Sequence, residues 1–195
     1  MTESVELFFS FRSPFSYLAG PRAFALADSY DIELIYRGIR PMVTRGVPLP
    51  TAKKFYIFLD AAREAERLGM PFGKIYDPLG KGALRCLYVA EHAAEAGRLP
   101  EFVLGASRAI WAEGVCVAGD KGLRKVCEAA GLSWDDCREA INNTEYHDRI
   151  ESNNARLSEL GHWGVPTFHY KDELFWGQDR IPHLEKILRA DGLAK

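Results

Sequence analysis

The spacing of apolar residues changes period twice along the chain. Val5 to Phe11 is a short, mostly apolar run of strand length, and "IELIYR", Ile32 to Arg37, alternates apolar and polar residues as a half-buried strand does. Between them, Ser16 to Tyr30 carries Leu18, Phe24 and Leu26 in a helix-like stretch that Pro21 is expected to kink. This order predicts a βαβ unit. A loop holding Pro41, Gly46, Pro48 and Pro50 follows, and the pattern then becomes helical. Helices are expected over Lys53–Leu68, Leu84–Ala96, Glu101–Glu113, Gly122–Ala130, Trp134–Ile141 and Glu145–Leu160. Leu123, Val126, Cys127 and Ala130 form the i, i+3, i+4, i+7 stripe of an amphipathic helix, and Ser133 with Asp136 signals the N-terminus of the next one.

After Gly161 the strand period returns. "TFHYK" and "ELFW" are aromatic-rich, flank Asp172 and predict a hairpin; Ile181, Leu184, Ile187 and Leu188 then mark one apolar face of a final helix. The chain is therefore expected to be α/β, with βαβ and ββα halves bracketing a helical insertion. Residues 1–38 and 162–195 would form one discontinuous unit, and residues 39–161 an inserted helical domain.

Composition restricts the function. With 25 Lys and Arg against 27 Asp and Glu, no overall positive field favours nucleic acid or an anionic membrane, so a small-molecule ligand is the better expectation. A strand pattern close to Met1, and no apolar run near the roughly 20 residues of a membrane helix, predict a cytoplasmic protein. Cys86, Cys116, Cys127 and Cys137 lack C-x-x-C or zinc-like spacing and are expected to be reduced, half-buried thiols, with Cys127 a small core residue. None of the five histidines has the spacing of a metal site or catalytic triad. His92, His147 and His183 are expected at helix surfaces, while His162 and His169 flank "GVPTF" without an assigned role. Asn153 and Asn154 lie near the apolar stripe of Tyr146, Ile150 and Leu157, which suits buried amides or a pocket contact, structural use being the expectation.

Three short segments carry the candidate chemistry: "SPFSYLA" at 13–19, "GVPTF" at 164–168 and "FWGQDR" at 175–180. Alone, Ser13-Pro14 is a familiar helix start and Asp179 a familiar cap ahead of "RIPHLEKIL". Val-Pro-Thr before a strand resembles the cis-proline loop of thioredoxin-like proteins. Together, in this order around a helical insertion, the segments resemble the 2-hydroxychromene-2-carboxylate isomerases. These sit beside the kappa-class glutathione transferases in the DsbA-like branch of the thioredoxin fold.

The resemblance implies a thioredoxin-like fold of the DsbA and kappa-class type, glutathione as cofactor, a homodimer, and isomerisation of an aromatic catabolite. Redox members carry cysteine where this chain has Ser13. Serine cannot undergo thiol–disulfide exchange, so the sulfur would come from glutathione, with Ser13 orienting and stabilising its thiolate. The resemblance further implies that Val165 offers its backbone to the cysteinyl part of glutathione, and that Trp176, Gly177, Gln178 and Asp179 receive the γ-glutamyl end, Asp179 meeting the ammonium. Trp176 also suits a core role, and Ser16 suits a cap or helix-surface hydroxyl. The acceptor site is expected among Arg37–Pro50 and Phe72–Arg85. Ser10 and Arg12 depart from the family pattern, in which an acidic and an uncharged residue are common at these positions. A kappa-like transferase making stable conjugates and a non-catalytic glutathione-binding protein remain alternatives, whereas Ser13 disfavours a disulfide oxidoreductase.

Overall fold

The computed structural model describes residues 3–195. Four strands, β1 (Glu3–Phe9), β2 (Ile32–Gly38), β3 (Thr167–Tyr170) and β4 (Glu173–Trp176), form one sheet in the order β2-β1-β3-β4. β1 and β2 are parallel, with Leu7 opposite Tyr36, whereas β3 pairs antiparallel with both β1 and β4. The parallel pair needs a crossover, which α1 (Pro14–Ser29) supplies; the antiparallel pair closes in a tight turn where Lys171 takes a positive φ of 52°. The βαβ and ββα halves meet because β3 adds to the free edge of β1.

Between the halves lie α2 (Thr51–Arg67), α3 (Lys81–Glu95), α4 (Leu99–Trp111), α5 (Asp120–Ala129), α6 (Trp134–Ala140) and α7 (Thr144–Glu159), and α8 (Ile181–Ala190) ends the fold. Each predicted helix is present, its ends moved by no more than three residues. Pro21 lies inside α1, which continues as one helix although proline offers no N–H to the Tyr17 carbonyl. Ser133 caps α6 by accepting the Asp136 amide, as its spacing predicts.

Strand alternation sends Val5, Leu7 and Phe9 into the main core with α1, α3 and α4 side chains. Phe8, on the opposite face, packs with Ile39 and Leu157 beneath α7. Glu6 shares that second face and is only 6% exposed. It is paired with Arg37 and with Arg156 at 3.1 Å, and His169 Nδ1 lies at hydrogen-bond distance, 2.7 Å. Asn153 accepts a bond from Arg37 at 3.1 Å, and Asn154 accepts the Arg40 amide at 3.2 Å, so both are the buried structural amides expected.

Burial alone would raise the Glu6 carboxyl, but the bonds from Arg156, His169 and Arg37 outweigh it and hold it below the usual carboxylate range. A lowered folded-state value contributes stability above the unfolded carboxyl's titration and loses it as pH falls through the folded one. Glu6→Gln is therefore expected to cost about 1–2 kcal/mol at neutral pH. The gap from the native chain should close on acidification below about pH 4.5, as followed by urea melts at several pH values.

Cys127 is the small core residue expected, whereas the other thiols depart from half-burial: Cys86 and Cys137 are fully buried and Cys116 is exposed. His147 is half-buried rather than exposed, since it stacks on Tyr88 with centroids 3.9 Å apart and bonds the Ile141 carbonyl. Among the described residues no helix is long and apolar enough to cross a membrane, and no group of three or more His, Cys, Asp or Glu could hold a metal ion.

Candidate functional site

β1 ends at Phe9, and four residues turn the chain into α1. At this turn Ser13 takes an extended conformation and its Oγ accepts the Ser16 amide at 3.1 Å, a side-chain cap ahead of Pro14 at the first helical position. The cap does not exhaust the hydroxyl, which also donates to the Val165 carbonyl at 3.2 Å. Residues 152 positions apart thus meet at the strand–helix junction. The Val165–Pro166 bond is cis, the isomer implied by the resemblance. Ser16, expected at the surface, is fully buried and accepts the Ser10 amide.

Few donors at this helix start are free. Pro14 has no N–H, the Ser16 amide goes to Ser13 Oγ and the Tyr17 amide to the Ser13 carbonyl. The Phe15 amide is left without a partner among the described residues.

Ser13, Val165, Trp176, Gly177, Gln178 and Asp179 all line one cavity of about 820 Å³, a volume suited to a small-molecule ligand. Gly177, at a φ of 117°, donates its amide to the Pro166 carbonyl and so ties the end of β4 to the proline loop. Gln178 is buried, and its side chain bridges Arg22 to Glu64, whose Oε2 it meets at 2.6 Å. Asp179 is not a helix cap: it lies in a short 3₁₀ turn, is half-exposed and pairs with Arg180 at 3.2 Å. Trp176 is not core, being 48% exposed and packed edge-on against Trp163 and His162.

The two loops predicted for an acceptor do reach the cavity, through Pro41, Met42 and Leu49 from one and Ile75 and Asp77 from the other. Sequence reasoning missed the long wall made by α2. Lys53, Ile57, Asp60, Glu64 and Arg67 all line the cavity, and their four- and three-residue spacing is the signal that was present. Glu64 bonds Arg67 at 2.7 Å, and that bond is the main cause holding the Glu64 carboxyl below its usual range. Trp111 and Trp163 were missed too; Lys53 sits 5.0 Å over the Trp163 ring.

A family model described as a DSBA-like thioredoxin domain matches residues 4–189. The chain belongs to that family. Within it, a 2-hydroxychromene-2-carboxylate isomerase of Pseudomonas putida is 26% identical over 192 residues, covering 94% of this chain and 93% of the relative. A solved 2-hydroxychromene-2-carboxylate isomerase superposes with a TM-score of 0.81 at 25% identity, covering 96% of this chain and 95% of the other. Cytosolic disulfide reductase DsbM from Pseudomonas aeruginosa with GSH shares the fold at a TM-score of 0.71 and 19% identity, covering 95% and 99%. Solved proteins of this fold thus include, by name, both an isomerase and a disulfide reductase, and in this chain a serine side chain stands at the β1–α1 junction.

Proposed function

We propose that the protein is a cytoplasmic, glutathione-dependent isomerase acting on a 2-hydroxychromene-2-carboxylate-like product of aromatic catabolism. The observation that carries this reading is the meeting of Ser13 Oγ with the Val165 carbonyl inside the cavity, where a serine stands at the helix start in place of a thiol. The names of the full-length relatives support the isomerase assignment.

The residues present fit glutathione. Val165 keeps an amide with no partner among the described residues, and its carbonyl is held only by Ser13, so an extended peptide can pair with both. If the ligand amide takes over the Val165 carbonyl, the Ser13 hydroxyl is released to donate to sulfur, joined by the Phe15 amide and the positive end of α1. At the far end, Asp179 and Glu64 suit an ammonium, and Arg67 with the Gln178 and Asp179 amides suits a carboxylate. When bound, glutathione supplies a thiolate that adds reversibly to a conjugated carbonyl acid, allows a bond to rotate and is returned on elimination. Ser13 lowers the energy of the ionised sulfur, and the Trp111 and Phe58 side of the cavity excludes water from the acceptor.

Reduced glutathione and its S-methyl derivative at millimolar concentration are expected to raise the melting temperature by mass action, and free thiol should be recovered in full after turnover. Failure of both ligands to shift the melt would remove the cofactor assignment, and a stoichiometric loss of thiol would make the enzyme a transferase. Asp179→Asn should weaken glutathione binding by about 1.5–3 kcal/mol, measured calorimetrically, with little loss of fold stability because Asp179 caps no helix.

The reading includes a homodimer. α2 exposes Phe55 (68%), Tyr56 (60%) and Leu59 (59%) away from the cavity, apolar surface that an assembly would cover. Light scattering should find twice the 21.9 kDa chain mass, and Phe55→Asp with Leu59→Asp should return it to the monomer value.

A further inference from the structure

Resting on the reading above, we infer that Arg12 anchors the acceptor's carboxylate and that Asp77 is the internal counter-ion which that carboxylate replaces. Arg12 precedes Ser13 on the β1–α1 turn, and both line the cavity. A carboxylate held there shares one cavity with the Ser13 hydroxyl. Arg12 presents its planar fork already in carboxylate-binding geometry, with Nε 2.8 Å from Asp77 Oδ1 and Nη2 2.9 Å from Oδ2.

The two partners differ in exposure: the Arg12 side chain is 18% exposed and that of Asp77 is 53% exposed. Asp77 is thus the member that can turn toward water, at the cost of the bond its Oδ1 accepts from the Leu79 amide at 3.0 Å, and Lys54 on the same cavity wall remains as a cation. The guanidinium stays in place and passes from one carboxylate to another, so that binding strands no charge. Two positions before Arg12, Ser10 also lines the cavity, is only 2% exposed, and carries a buried hydroxyl with no hydrogen-bond partner.

The apolar half of the acceptor has a matching surface. Trp111 Nε1 donates to the Phe11 carbonyl at 3.1 Å, which fixes the indole against the residue before Arg12. Phe72 stacks behind the indole at 6.0 Å and Phe58 flanks it at 6.2 Å. An aryl ring on this wall and a carboxylate on Arg12 define the substrate class: planar aryl acids carrying one negative charge, in preference to their esters or amides.

The test uses the full chain and the tryptophan fluorescence of the cavity wall, titrated with benzylidenepyruvate and separately with its methyl ester. The native protein should bind the acid about tenfold or more tightly than the ester, a ratio of the size expected from one charge-assisted contact. Arg12→Gln should abolish that preference while ester affinity stays within about twofold, and Arg12→Lys should keep part of it. Asp77→Asn, which leaves Arg12 in place, should tighten acid binding about threefold or more by removing the competing carboxylate. Equal binding of acid and ester by the native chain, survival of the preference in Arg12→Gln, or equal weakening of both ligands would overturn the anchor. Unchanged acid affinity in Asp77→Asn would overturn the counter-ion. A native acid preference that Arg12→Gln abolishes, in a protein whose melt glutathione does not shift, would uphold the anchor and strike only the isomerase reading.

Discussion

Ser13→Ala is expected to slow turnover at neutral pH by about 10- to 100-fold while leaving glutathione affinity nearly unchanged. A hydrogen bond to a charged partner is worth about 1.5–3 kcal/mol, and each 1.4 kcal/mol is a factor of ten in rate. Removing a donor from an ionised sulfur disfavours the thiolate, so the bound thiol's titration should move to higher pH, taking the acidic limb of the pH–rate profile with it. Little else can compensate, because the Phe15 amide is the one first-turn N–H among the described residues without a partner. The substitution also removes the α1 cap, worth about 1 kcal/mol, and the bond to the Val165 carbonyl. Ser13→Thr separates these effects, since it retains a hydroxyl for both tasks and should restore the titration. Thiolate absorbance in the ultraviolet reads the result directly. If Ser13→Ala loses stability without moving that titration, the hydroxyl is a cap and no more.

Gly164→Ala should damage fold and site together. A Cβ at this position would lie 2.5 Å from Trp176 Cε2 and 2.8 Å from Cζ2, inside van der Waals contact with a rigid ring. Either the indole leaves its edge-on contacts with Trp163 and His162, or the backbone entering Val165 shifts. Overpacking of this kind costs about 1–3 kcal/mol. The same displacement moves the Val165 backbone and the Trp176 wall, so glutathione affinity should fall by about tenfold or more. Thermal melts with and without glutathione separate the two losses, and a mutant of native stability and native affinity would show that the contact yields without strain. Truncating Trp176 in the Gly164→Ala background should recover stability without recovering affinity.

The amino-acid sequence by itself determined the order and kind of the elements, because strand alternation, the helical stripe and Ser133, Pro14 and Asp172 at element ends are local signals. It also placed Ser13 at a strand–helix junction and Val165 ahead of β3, since each is a matter of neighbours in the chain. What lay beyond it were the facts that depend on side chains from distant segments. The pairing of Ser13 with Val165 requires β3 to dock beside β1. Asp179 has the spacing of a cap, yet it lies within a 3₁₀ turn that runs into the helix, makes no cap bond and lines the cavity. His147 and Ser16 have the neighbours of surface residues, but Tyr88 half-buries the first and the β1–α1 turn covers the second. The wall made by α2 shows the limit most plainly. The stripe from Lys53 through Ile57, Asp60 and Glu64 to Arg67 mixes charge with apolar surface, so a pattern of hydrophobicity alone gives it no inner side. Only packing against the β1–α1 turn and the proline loop makes that face a binding surface and leaves Phe55, Tyr56 and Leu59 on the other, because which surface loses its water is settled by the whole fold and not by the helix.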